Sequence, residues 1–263
     1  MDSKRAFICH GGLGDVYIEL LKIKSLELDS CDVYYRDSAI THLTDIQTLY
    51  ESQSEIKKFD VLQVEQTDEY LNDLKKELEL EYDEVSILSS TLANISSIKE
   101  VQLPNWTNPY GAEYVIVNLG AGNWKWPPYA AHNVNRRWEK EVLEALVSAL
   151  ATKTNLKVVL IGQPTEWNLS HSRVHNESEK NIIEQLNIIK HARLSVGFEG
   201  FNLAAAMSYD TKMVVKNNPP NHDFKEKKIR YLDDKAYANI IVLNEYNLRE
   251  FLPIITKLKN NQL

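Results

Sequence analysis

The chain has 263 residues, 43% of them hydrophobic and 25% charged, which is the composition of a globular protein with one large or two small cores and excludes a disordered, collagen-like or disulfide-dense chain. Its 37 acidic residues outnumber 30 basic ones, for a formal net charge of −7. No strong nucleic-acid-binding signature is therefore present, because phosphate binding is driven by positive charge.

Residues 5–9 form a short apolar run that meets Gly11, Gly12, Leu13, Gly14 and Asp15, and apolar residues then recur at helical intervals from Val16 to Leu28. The order is strand, glycine turn, helix. Residues 31–35 predict a second strand, Ser38 caps a helix running to about Tyr50, and residues 60–64 predict a third strand. A helix over 67–80 with a charged outer face and a strand over 84–88 complete this half. Such alternation implies parallel βαβ units with right-handed crossovers. Cys9 and Cys31 fall in the first two strands and read as buried free thiols, which suits a reducing cytoplasm. The apolar run after Lys4 and Arg5 is too short for a signal peptide. No transmembrane segment is expected, since no window approaches roughly 18 consecutive apolar residues.

Residues 103–111, with Pro104, Asn108 and Pro109, interrupt the alternation and read as a linker. It separates an expected domain 1–104 from an expected domain 112–263. In the latter, strands are expected over 114–119, 156–161, 194–196, 212–215 and 240–243, and helices over 138–152, 178–191, 201–207 and 245–259. The expected fold class is α/β, with two Rossmann-like domains facing across a cleft.

Three strand-to-helix turns carry candidate chemistry. In the first, Gly12 and Gly14 permit close backbone approach to a phosphate at a helix N-terminus, although the spacing is not G-x-G-x-x-G and no P-loop lysine follows. Asp15 in the first turn of that helix reads either as a capping carboxylate or as a general base that takes a proton from an acceptor hydroxyl. The second turn is Gly120, Ala121, Gly122 and Asn123, followed by Arg136 and Arg137 at a helix start. Cations are disfavoured there without an anion, so paired arginines point to a diphosphate. In the third, Glu199, Gly200 and Asn202 precede an alanine-rich helix. The two side chains suit hydrogen bonds to a ribose, a sugar or a base edge, and Glu199 also reads as a capping carboxylate. The seven histidines show no metal-ligand spacing; His171 and His175, four apart, are too few, so no metal site is expected. A nucleophile elbow is absent, and neither cysteine has an evident partner base.

Together these segments resemble the two-domain GT-B glycosyltransferases, specifically the ADP-heptose:lipopolysaccharide heptosyltransferase family. Its G-x-[GL]-G-D element, with the aspartate as base, corresponds to Gly12, Gly14 and Asp15. Its P-G-A and K-R-W-P elements are similar to Leu119-Gly120-Ala121 and Arg136-Arg137-Trp138, with Arg136 in place of the lysine that helps hold the donor phosphates. Its D-[ST]-G-x-x-H-L-A-A signature corresponds to residues 199–205, one residue shorter, with Glu199 for Asp and Asn202 for His. The resemblance implies a metal-independent transferase with no cofactor beyond a nucleotide-diphosphate sugar donor and with a hydroxyl acceptor. The short first half, without a basic or amphipathic membrane face, points away from a lipid-linked acceptor. A nucleotide-sugar epimerase or hydrolase of the same shape, or a non-catalytic nucleotide-sugar-binding protein, is the alternative.

Overall fold

A computed structural model of the chain describes residues 3–11, 13–37, 43–62, 68–88, 98–111, 113–120, 138–162, 169–178, 180–198, 200–216 and 238–263. The chain divides into two compact units, with the division after Pro104.

The first unit runs β1 (Arg5–Gly11), α1 (Leu13–Ser25), β2 (Cys31–Asp37), α2 (Leu43–Glu51), β3 (Ile56–Leu62), α3 (Asp68–Leu78) and β4 (Glu84–Ile87). Its sheet has the order β3-β2-β1-β4, and every pairing is parallel. Side chains alternate across a strand, so Ala6 and Ile8 pack with Leu71, Leu74 and Leu78 of α3, while Phe7 and Cys9 point to the opposite face. Helix α1 ends at Ser25, sooner than the apolar spacing implies; Glu27 takes a positive φ of 52° and leaves Leu26 exposed. Strand β3 begins at Ile56, ahead of the expected residue 60. Its Lys57 and Lys58 are exposed at the end of the sheet order, which weakens the apolar signal there. Ser38 lies outside the described residues.

Both cysteines are buried and free. Cys9 aligns with Tyr35, four residues beyond Cys31 on the neighbouring strand, a separation of about 13 Å at strand rise and well beyond disulfide reach.

The second unit contains β5 (Tyr114–Asn118), α4 (Lys140–Lys153), β6 (Lys157–Ile161), β7 (Val174–Asn176), α5 (Ile182–Lys190), β8 (Leu194–Gly197), α6 (Phe201–Ser208), β9 (Met213–Lys216), β10 (Ile240–Leu243) and α7 (Leu248–Lys259). The strand order is β10-β9-β8-β5-β6-β7, again parallel throughout. One face carries α4 and α7 against Val115, Val117, Val158, Leu160 and Val196. The other carries α5 and α6, where the Tyr114 hydroxyl donates to the Ile188 carbonyl at 2.6 Å and the Ser195 hydroxyl to the Asn202 amide oxygen at 3.1 Å.

Strand β7 has three residues, with Val174 its sole aliphatic side chain, too little pattern to read from sequence. Helix α5 starts later than expected because Asn181 and Glu184 form a reciprocal capping box. The stretch expected to be a linker is docked on the second unit through its aromatic rings: Trp106 stacks on His191 at 5.6 Å, and Tyr110 packs on Tyr114 at 5.2 Å and His175 at 5.5 Å.

Candidate functional site

In the first sheet the chain runs from β1 outward through β2 to β3 and then crosses back to β4 on the other side of β1, so the strand order reverses between β1 and β4. That switch point is where open α/β sheets bind ligands. Gly11 ends β1 with φ +107°, a backbone that favours glycine. A Cβ there would lie 2.7 Å from both Cβ and Oδ2 of Asp15. The Asp15 carboxylate is thus folded back over the end of β1, half-buried, in the first turn of α1.

Side chains from three elements brace this turn from beneath. The Tyr35 hydroxyl of β2 donates to the Gly11 carbonyl at 3.2 Å, and the Tyr50 hydroxyl of α2 donates to the Val16 carbonyl at 2.9 Å. The His10 amide donates to Glu19 Oε2 of α1 at 3.0 Å. Glu19 is fully buried. Burial pushes its carboxyl up to about 9; the His10 amide pulls downward and the Asp15 charge pushes further upward. Burial likewise raises the Cys9 thiol. Sequence reasoning passed over Glu19, although it sits on the apolar stripe of α1, three residues after Val16 and four before Ile23. A charged residue inside such a stripe is the signal that marks it. Gly14 is a half-buried residue of the first helical turn, and Gly12 lies outside the described residues.

The corresponding switch point of the second sheet falls between β5 and β8. Asn118 closes β5: its Oδ1 accepts the Gly120 amide at 2.9 Å, and its carbonyl accepts Trp138 Nε1 at 2.7 Å. The space around it is tightly filled. A Cβ on Gly162 would come within 2.8 Å of Asn118 Oδ1, and one on Gly197 within 2.8 Å of Asn118 Cβ and 2.7 Å of Asn202 Nδ2. Tyr246 stacks on Trp138 at 4.5 Å, and its hydroxyl donates to the Gly197 carbonyl. Asn118, Trp138 and Tyr246 thus hold the ends of β5 and β8 in place. Asn118 and Tyr246 escaped the sequence reading because Trp138, which bonds the Asn118 carbonyl, and Gly197, which accepts from Tyr246, lie 20 and 49 residues away from them in the chain.

Gly120 and Gly200 sit at these strand ends with φ of +142° and +102°. Gly200 precedes α6, which has no side-chain cap, and a Cβ at Gly200 would meet no atom of the described residues within 4 Å. Asn202 is 3% exposed and turned onto β8 through Ser195. Ala121, Arg136, Arg137 and Glu199 lie outside the described residues. No helix among the described residues is long and apolar enough to cross a membrane.

Two parallel Rossmann-like units, each with a glycine turn at its switch point, are the fold class of the GT-B glycosyltransferases. No protein-family model matches the chain, and no curated protein matches it by sequence. Among solved structures, ADP-heptose lps heptosyltransferase II of E. coli matches with a TM-score of 0.60 at 12% identity, over 98% of this chain and 97% of its own. E. coli heptosyltransferase WaaC with ADP matches at 0.55 and 11% identity, over 97% of this chain and 99% of its own. A Listeria monocytogenes protein described as a UDP-N-acetylglucosamine 2-epimerase matches at 0.60 and 12% identity, over 100% of this chain and 89% of its own. At such identities the likeness is one of fold, and it is equally good for a transferase and an epimerase.

Proposed function

We propose that the chain is a glycosyltransferase that moves a sugar from a nucleotide-diphosphate sugar to an acceptor hydroxyl and needs no metal ion. The observation that carries this reading is the Asp15 carboxylate folded onto Gly11 at the switch point of the first sheet. In the reaction the acceptor oxygen bonds to the anomeric carbon, Asp15 takes the hydroxyl proton, and the bond from that carbon to the phosphate oxygen breaks. The second unit holds the donor: amides at Gly120, Ala121 and Gly200, the N-terminus of α6, and the guanidinium groups of Arg136 and Arg137 receive the charge on the departing diphosphate. Gly12 and Gly14 let the backbone approach the ligand, Glu199 binds a donor hydroxyl, and Asn202 positions α6 on β8.

A thermal-shift screen with nucleotide-diphosphate sugars and bare nucleotides tests donor binding, since a ligand at a hundred times its Kd adds about 2.7 kcal/mol to stability. Asp15→Ala should reduce turnover by about 10²–10⁴-fold while the donor-induced shift persists; full turnover in that variant overturns the assignment. A second reading, an epimerase or hydrolase of the nucleotide sugar, is favoured by the equal TM-score of the epimerase fold. Product analysis with water as the sole acceptor separates the two: an epimerised or hydrolysed donor supports the second. Donor binding without turnover on any acceptor indicates a binding protein.

A further inference from the structure

Glu19 is the one carboxylate among the described residues that is completely buried, and the transfer reaction assigned to Asp15 does not use it. It lies one helical turn after Asp15, on the same face of α1. Oε2 accepts the His10 amide at 3.0 Å, and Oε1 has no hydrogen-bond partner among the described residues. Around it stand Cys9 and His10 from β1, Asp15 and Lys22 from α1, and Tyr50 from α2. The Tyr50 hydroxyl is committed to the Val16 carbonyl. The Cys9 thiol, which interacts with this carboxyl, is a weak hydrogen-bonding group. The attraction of Lys22 is offset by the repulsion from Asp15. One backbone amide cannot replace the hydration shell of a carboxylate, whereas a neutral acid with one unmet group costs far less.

We propose that Glu19 is a positioning residue that works as a neutral carboxylic acid: protonated, it anchors the His10 amide beneath the Gly11–Asp15 turn and leaves Asp15 as the turn's single negative charge. The catalytic consequence rests on the reading of Asp15 as the base, but the protonation state does not. When Glu19 loses its proton, the buried charge draws water toward the end of β1 and pulls on the His10 amide. The turn that presents Asp15 then loosens at alkaline pH.

The test is an NMR titration of the full chain from pH 4 to 10.5, with glutamate carboxyl carbons and backbone amides labelled. The expected result is one glutamate signal that titrates near 9, the value burial sets, together with a step in the His10 amide at the same midpoint. Glu19→Gln should abolish both, because the amide side chain keeps the acceptor and cannot ionise. Asp15→Asn should lower the midpoint by about one pH unit, as removal of a like charge one turn away requires. A Glu19 signal that titrates at its ordinary 4.5, a His10 amide with no alkaline step, or a midpoint unmoved by Asp15→Asn overturns the inference. If Glu19→Gln does not fold, the native chain and Asp15→Asn decide it. None of these measurements involves a sugar: ordinary titration of Glu19 with turnover lost in Asp15→Ala sinks this inference alone, and an elevated titration with turnover retained sinks the transferase reading alone.

Discussion

Glu19→Gln should remove the loss of stability that the ionisation of Glu19 imposes as the pH rises. In the unfolded chain the carboxyl ionises at its ordinary 4.5, whereas in the folded chain burial raises it to about 9. The folded state therefore holds a proton that the unfolded state releases. The stability associated with that proton is fully present below pH 4.5 and is lost as the pH rises toward 9, at about 1.4 kcal/mol per pH unit. By pH 7 the native chain has forfeited about 3 kcal/mol relative to acid, a sizeable share of the 5–15 kcal/mol typical of a domain. The glutamine side chain of the variant releases no proton, so the stability difference, variant minus native, should grow by that amount between pH 4.5 and 7 and continue to rise until about 9. Comparing the two proteins at each pH cancels the titration of every other group. The assay is urea unfolding read by thiol labelling with a dipyridyl disulfide. Cys9 and Cys31, the chain's two cysteines, are both buried in the first unit and become reactive when it opens. A stability difference that stays constant from pH 5 to 9 would refute the argument.

Three further outcomes concern the second unit, which contains all five tryptophans, so that its unfolding is followed by fluorescence. Gly197→Ala places a methyl group 2.7 Å from Asn202 Nδ2 and 2.8 Å from Asn118 Cβ and should destabilise this unit by about 1–3 kcal/mol through overpacking; an unchanged urea midpoint would contradict the packing around Asn118. Gly200→Ala meets no atom of the described residues but retains φ +102°. It should lose about 1–3 kcal/mol to backbone strain alone, a loss that adds independently to that of any variant which leaves the turn intact. Tyr246→Phe removes the hydroxyl from the Gly197 and Val214 carbonyls but keeps the ring on Trp138. The melting midpoint should fall by the equivalent of about 1 kcal/mol with the native emission spectrum unchanged, and a shifted spectrum would mean that the stack itself had been lost.

By itself the sequence determined the α/β class and nearly every major element, because apolar periodicity and glycines at strand ends are local properties of consecutive residues. The alternation of residues 5–11 with 13–25, or of 194–197 with 201–208, is legible without any partner. Asp15 and the glycine turn at 200 could be picked out because strand, glycine and helix follow one another directly, and the turn at 120 because its glycine follows directly on a strand. Strand order, the docking of Trp106 and Tyr110, the clamp of Tyr246 on Gly197 and the burial of Glu19 were decided only by tertiary structure. Each depends on groups far apart in the chain. The charge state of Glu19 is the clearest case: β1, α1 and α2 surround it together, and desolvation cannot be read from any one of them.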